Sequence, residues 1–442
     1  MRLLNTALLE LEYFTTKEKP PYAILSHTWG SEEVLYDHAR HGPAKLRSCG
    51  RTGLFKVLKS AEIALNDGYN YIWVDTCCID KSSSAELSEA FNSMFAWYRE
   101  SRVCYAFLED YTHGSSDDEL STSRWFTRGW TLQELIAPLD VQFYDASWTR
   151  FGNRLEMSFG LSKITGIDVG VLSATLSMSQ PCEVMGVHPD NPQSVQACDD
   201  CRERARLFSA IRIDAHSIST KMSWAAHRKT TRVEDIAYCL MGVFNVNMPL
   251  LYGEGSAKAF HRLQEEIIRR SNDQTILVWQ CEPYRQDNNI KSGVPYWPPS
   301  SLLAGHPAHF RSGNLFEPVR KLNGKQRIAI SSTGIEVDVH VAPCEIESKG
   351  LSPGIHVQEV WLAILNCSHV NDLFVSPALL LRPNKHSARL FSRLWLGHPF
   401  EHCQYVIVNE GPVSNTFSTN DDAASIGRLP FFPTSCLRTL KD

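Results

Sequence analysis

The sequence predicts an α/β protein whose N-terminal part is a mostly parallel sheet covered by helices on both faces. Three observations predict it. Between residues 22 and 145, short apolar runs alternate with amphipathic helical patterns, the rhythm of strand–helix–strand units. From about Arg150 to Trp279 the pattern turns helical. Beyond about Asn289, short runs alternate with Gly, Pro and Asn turns, which reads as a β-rich, sandwich-like C-terminal domain. The expected organisation is therefore a sheet domain over 1–150, a helical extension over 151–285 and a β-rich domain over 286–442.

The first strand is expected at Tyr22 to Ser26. A helix from about Leu54 to Leu65 follows, then a strand Tyr71-Ile72-Trp73-Val74 ending in Asp75, where the carboxyl-end loops of such folds hold their ligands. Ser83 with Glu86 three residues later forms a capping box for a helix with the apolar face Leu87, Ala90, Phe91, Met94, Phe95 and Tyr98. Val103 to Leu108 is the next strand. A polar loop, Thr112 to Ser123, leads into a short helix stopped by Pro138, and Val141 to Tyr144 closes the domain as a further strand. In the middle region, about Ser173 to Ala197 has the composition of a loop insertion, while Val233 to Leu240 and Ala257 to Arg270 read as helices.

Composition narrows the function classes. The 442 residues are 43% hydrophobic and 21% charged, ordinary for a globular protein with room for two or three domains. A formal net charge of −5, with the basic residues not gathered into one run, gives no nucleic-acid footprint. Met1 to Phe14 carries Glu10 and Glu12 and is too short for a signal core or a membrane span, so a cytoplasmic protein is expected. Thirteen cysteines, several inside apolar strands (Cys77, Cys104, Cys367), suit reduced buried thiols rather than a disulfide framework. The glycines Gly253 and Gly255 fit neither a phosphate loop nor a dinucleotide fingerprint. Cys182, His188, Cys198 and Cys201 lie within 20 residues, but their spacing fits no standard zinc finger, and no metal is expected.

One carboxylate stands out. In Arg128-Gly129-Trp130-Thr131-Leu132-Gln133-Glu134-Leu135-Ile136, Glu134 interrupts an apolar helix and stands four residues after Trp130, on the same helical face. Its bland reading is a surface residue paired with Arg128. Ser26, His27 and Trp29 follow the first strand and offer a hydroxyl, an imidazole and a stacking surface for a nucleotide. Asp75 and Asp80 bracket the second strand-end loop, where they bond ribose hydroxyls or simply cap the turn and the helix at Ser83. Cys77 and Cys78 beside His27 raise a thiolate–imidazole alternative. Arg228, Lys229 and Arg232 suit a solvated basic patch, or a grip on a phosphate or an acidic partner.

The blocks Tyr22-Ala23-Ile24-Leu25-Ser26-His27-Thr28-Trp29-Gly30, Trp73-Val74-Asp75-Thr76-Cys77-Cys78-Ile79-Asp80 and Arg128 to Leu135 resemble the fungal heterokaryon incompatibility (HET) domain family. Stretches from Met222 to Tyr238 and from Leu251 to Gly255 look like the segment directly C-terminal to this domain in many fungal members. The resemblance implies a role in non-self recognition, in which fusion of unlike hyphae triggers programmed cell death. That family is similar in fold to Toll/interleukin-1 receptor (TIR) domains, which implies a flavodoxin-like sheet. Some TIR domains cleave NAD at the nicotinamide–ribose bond with one glutamate, in plant-type members within Trp-Cys-x-x-Glu-Leu. Trp130 and Glu134-Leu135 stand at that spacing, with Thr131 in place of Cys and Arg128 in place of Ser.

The resemblance thus implies Glu134 as catalytic residue, with Ser26, His27, Trp29, Asp75, Asp80, Arg128 and Trp130 around the substrate. NAD would be the substrate and no cofactor is needed. It also implies self-association for activity and an incompatibility partner of unknown identity. A carboxylate fits the chemistry, because departure of neutral nicotinamide leaves an oxocarbenium-like ribose that a negative charge stabilises. The alternative is a non-enzymatic signalling module acting by partner recruitment, with Glu134 structural.

Overall fold

The structure is a computed structural model that describes residues 1–15, 18–114, 117–174, 199–279, 302–319, 327–331, 334–349, 355–371, 375–384, 387–393, 406–409 and 438–439. They belong to two compact units. One comprises Met1–Ala215 with Arg228–Leu250, the other His216–His227 with Leu251–Asp442. The described residues of 151–215, with 228–250, fall in the first unit together with the sheet.

The first unit is built on seven strands: β1 (Arg2–Asn5), β2 (Leu11–Tyr13), β3 (Ala23–His27), β4 (Tyr71–Trp73), β5 (Val103–Phe107), β6 (Val141–Tyr144) and β7 (Arg150–Asn153). Their spatial order is β2-β1-β4-β3-β5-β6-β7. The four central strands are parallel, with Ala23 opposite Ile72 and Val103, and Cys104 opposite Val141. In chain order these four lie 2-1-3-4, the beginning of the flavodoxin-like winding, whose reversal point falls between β3 and β5. Three antiparallel strands flank them. The sheet therefore starts at Arg2, earlier than the Tyr22 expected from sequence. The N-terminal hairpin is short and half-buried, and its register rests on the Asn5 side chain, which accepts from the amides of Ala7 and Leu8 at 3.1 and 2.9 Å.

Helices α1 (Tyr36–Ala39), α2 (Pro43–Arg47), α3 (Leu54–Asn66), α4 (Ser84–Glu100), α5 (Asp117–Thr122), α6 (Arg124–Thr127) and α7 (Thr131–Ile136) fill the connections. Every residue of β3 and β5 is buried, so these strands are the middle of the core. α3 lays Val57, Ser60, Ala61 and Ala64 inward. Its entry needs glycine, because a Cβ on Gly53 would stand 2.7 Å from Glu33 Oε2 and 2.9 Å from the Glu32 carbonyl. The Ser83 hydroxyl caps α4 by accepting from the Glu86 amide at 3.3 Å. Trp97 and Tyr98 of that helix meet Trp73 edge-on, at 5.6 and 5.9 Å.

α7 is the feature that matters for function. All six of its residues are buried, although it is too short to be stable by itself. Buried arginines hold both its ends. At the C-terminal end Arg154 Nη1 donates to the carbonyls of Leu135 and Ile136 at 2.8 and 3.3 Å. Its Nη2 donates to those of Leu139 and Ala174 at 3.4 and 2.9 Å, answering carbonyls a helix end leaves open. At the N-terminal end Arg228 Nη1 donates to the Arg128 carbonyl at 2.8 Å and to Thr131 Oγ1 at 2.9 Å. The strand-like contact of residues 229–230 with 127–129 accompanies it, through Lys229 N to Thr127 O and Gly129 N to Lys229 O. A Cβ on Gly129 would meet Thr230 Cγ2 at 2.5 Å. Arg228, expected among a solvated basic patch, is thus an internal brace.

In the second unit, helix Ser256–Ile268 buries Ala259, Phe260, Leu263 and Ile267. Its buried Gln264 exchanges two hydrogen bonds with the backbone of Ala304, at 2.7 and 3.0 Å. The strands form an antiparallel sheet around His340–Lys349, Ile355–Ile364, Val375–Asn384 and Ser387–Arg393, plus two antiparallel pairs. The expected insertion falls almost wholly, with Cys182, His188 and Cys198, outside the described residues. Among the described residues no helix is long and apolar enough to cross a membrane and no acidic, His or Cys group could hold a metal.

Candidate functional site

Parallel strands end together, and the side chains at those ends converge. Ser26 and His27 are the last two residues of β3, and Asp75 lies two residues past β4. Glu134 reaches them from α7. Ser26 Oγ donates to Glu134 Oε2 at 2.5 Å, and Trp125 Nε1 donates to the same Ser26 Oγ at 2.8 Å. An indole N–H only donates, so the serine hydroxyl accepts from Trp125 and keeps its own hydrogen for Glu134. Trp125 is fully buried against Phe126 and Phe143.

Glu134 is 7% exposed, not the surface residue of the bland reading, and among the described residues no cation forms an ion pair with it. Burial drives its carboxyl upward and the charge of Asp75 adds to that, while the bonds from Ser26 and Tyr98 and the charge of Arg128 pull back. The result is about 8, against an ordinary 4.5. Asp75 goes the other way. Burial by itself would raise it, but the bond from His27, the charge of Lys81 and the bond from Trp29 hold it below its ordinary value. His27 Nε2 lies 3.2 Å from Asp75 Oδ1 and Trp29 Nε1 donates to Asp75 Oδ2 at 2.8 Å.

A second carboxylate continues this charged arm. Glu33 Oε1 accepts from the Gly30 amide at 2.6 Å and from Lys56 Nζ at 2.5 Å, and lies 4.0 Å from His27 Nδ1. Lys56 also donates to the Thr28 carbonyl at 3.3 Å. Lys81 Nζ sits 3.5 Å from the centroid of the Trp29 ring. Four buried polar atoms here have no hydrogen-bond partner: His27 Nδ1, Glu33 Oε2, Thr76 Oγ1 and Lys81 Nζ. Such atoms are scarce in a folded protein, and a cluster of them marks a place where something else binds.

Of the residues selected from sequence, the structure brings Ser26, His27, Trp29, Asp75 and Glu134 together. It does not bring Asp80 or Trp130 to them, and Arg128 reaches Glu134 only through its charge. Asp80 accepts from the amide and hydroxyl of Ser82 at 3.0 and 2.6 Å, capping its own turn. Trp130 leaves the face it was expected to share with Glu134: its Nε1 donates to Asp235 Oδ2 at 3.1 Å and its ring packs on Phe91 at 4.5 Å. Trp130 keeps helical backbone angles as the N-cap of α7, so its partners and not its backbone take it from the site. Arg128 contributes its carbonyl, which receives Arg228 and the Thr131 hydroxyl. The thiolate alternative finds no support. The neighbouring Cys78 and burial push the Cys77 thiol well up, and the His27 ring is committed to Asp75. Trp125, Lys56, Glu33 and Lys81 escaped the sequence reading. Trp125 had a usable signal, an aromatic with a polar handle between Ser123 and Phe126.

Residues 22–119 match the family described as heterokaryon incompatibility protein (HET). Over those residues the chain is thus similar to the HET domain. The match includes Ser26, His27, Trp29, Lys56, Asp75 and Lys81 and stops before α7. Residues 258–381 match a domain of unknown function, DUF8212. The vegetative incompatibility protein HET-E-1 of Podospora anserina is 40% identical over 258 residues, 56% of this chain and 16% of that protein. The chain thus spans a small part of that relative's length. No solved structure matches.

Proposed function

We propose that the HET domain triggers incompatibility-type cell death by cleaving NAD at the nicotinamide–ribose bond, with Glu134 as the catalytic residue. One observation carries the reading: a buried carboxyl, in no ion pair among the described residues and with its pKa raised to about 8, beside an ionised aspartate at the carboxyl ends of parallel strands. Two carboxyls driven in opposite directions within one site are the mark of divided chemical roles. In this reading the positive nicotinamide ring draws the proton off Glu134 as it binds. The C1′–N bond then breaks, its electron pair going to the pyridinium nitrogen. Glu134 stabilises the oxocarbenium-like ribose, and water adds to C1′ while giving up a proton, so that nicotinamide, ADP-ribose and a proton result. Ser26 holds the carboxylate in place, and copies of the chain associate to complete the site.

The depth of Glu134 favours a second reading, a non-enzymatic module that recruits partners. One experiment separates them. Purified full-length protein at high concentration, given NAD, is expected to release nicotinamide, with kcat/KM rising as pH passes through about 8. Folded Glu134→Gln is expected to release none. Absence of release from the folded wild type, with Glu134→Gln still killing cells on expression, establishes the recruiting module instead.

A further inference from the structure

Trp29 is 41% exposed, yet one face of its ring is covered by the Lys81 ammonium, 3.5 Å from the centroid. The indole N–H is fixed by Asp75 at 2.8 Å, so the ring is presented edge-anchored to a carboxylate. An aromatic face beside a carboxylate is a cation site. Its resident is poorly matched to it. An ammonium carries three N–H donors, and the buried Lys81 Nζ has no hydrogen-bond partner. A ring cation such as pyridinium has no N–H to satisfy. Stacked on Trp29, it would keep both the ring-face attraction and the pull of Asp75 while leaving no donor unanswered.

We infer that Trp29 and Asp75 form a binding site for a flat aromatic cation, and that Lys81 occupies it as a displaceable internal stand-in. The inference rests on the NAD reading in one respect, since the cation is then the nicotinamide ring. Asp75 holds the edge of Trp29 through the indole N–H and its charge acts on Glu134, so a ring on Trp29 would share with Glu134 the field of one carboxylate. Lys81 thereby sets a threshold for entry, because a substrate must displace it.

The test is binding of 1-methylnicotinamide, a pyridinium without ribose or phosphate, to the full chain by isothermal titration calorimetry. Lys81→Ala is expected to bind it about tenfold more tightly than wild type, and Trp29→Leu to lose it. Lys81→Gln keeps the side chain's bulk without its charge and is expected to show a smaller gain in the same direction. Neutral nicotinamide is expected to gain little in any variant. Equal or weaker binding of the cation by both Lys81 variants overturns the inference, as does an equal gain for neutral nicotinamide. Turnover is not read, so the two proposals fail separately: tight cation binding without NAD cleavage removes only the enzyme reading, and NAD cleavage with unaltered cation binding removes only the stand-in.

Discussion

The two arms of the site bury polar groups in opposite ways. Around Glu134 the protein offers hydroxyls and, among the described residues, no ion pair, and the carboxyl answers by holding its proton up to about 8. Around Asp75 the protein offers the His27 ring, the Trp29 indole and the charge of Lys81, with Glu33 paired to Lys56 beside them, and Asp75 stays ionised. A side chain's chemistry here is decided by its partners and not by its depth alone, since Glu134 and Glu33 are equally buried, one beside hydroxyls and the other paired with Lys56. The contrast also separates rigid from adaptable parts. α7 is clamped by Arg154 and Arg228, whereas Lys81 and Trp29 touch through a ring face.

The largest expected effect breaks the contrast at Glu134. Its folded-state value of about 8 lies above the ordinary 4.5, so folding takes up a proton throughout that window, and stability must fall as pH rises across it. At about 1.4 kcal/mol for each pH unit, the loss is on the order of 4 kcal/mol by pH 8. Glu134→Gln cannot ionise and is expected to lack this decline, becoming the more stable protein above neutrality. Chemical unfolding of both proteins at several pH values checks it. Parallel stability curves would mean that the carboxyl is hydrated and its value ordinary.

Next in size is the clamp. Arg154→Met deprives the carbonyls of Leu135, Ile136, Leu139 and Ala174 of a donor, at an expected cost of about 3 kcal/mol in urea unfolding. A cost below about 1 kcal/mol would show water substituting for the guanidinium and α7 less fixed than described.

The sequence disclosed what local chemistry marks. Strand β3 with Ser26 and His27 at its end, Asp75 past β4, and the odd carboxylate in α7 were all legible, because an apolar run stops or a charge interrupts it. The partners were not. Trp125 stands 99 residues from Ser26, Lys56 stands 23 from Glu33, and Arg228 stands 97 from Thr131. No periodicity records such pairings, which follow from how the strands are ordered. The same limit misled the reading of Trp130: the four-residue spacing says nothing of Asp235 and Phe91, the distant partners that claim its ring. The division of the helical region between the two units was equally hidden, since helical period says nothing about which body a helix packs on.

The smallest expected effect sharpens the comparison at a single hydrogen. Ser26 lowers the Glu134 value against the pull of burial, because its hydroxyl, oriented by the Trp125 indole, donates to the carboxylate. Removing that donor in Ser26→Ala favours the protonated form. The Glu134 titration is then expected to move upward by about one pH unit, equivalent to about 1.4 kcal/mol. Infrared titration of the carboxylic C=O band, assigned by its loss in Glu134→Gln, reads this without turnover. Trp125→Phe keeps the serine but frees its hydroxyl to rotate, and is expected to move the midpoint the same way by less. An unmoved midpoint in Ser26→Ala would show that the serine does not help to govern Glu134. The indole–hydroxyl pair would then be packing only, and the two arms would differ in charge pairing but not in hydrogen-bond design.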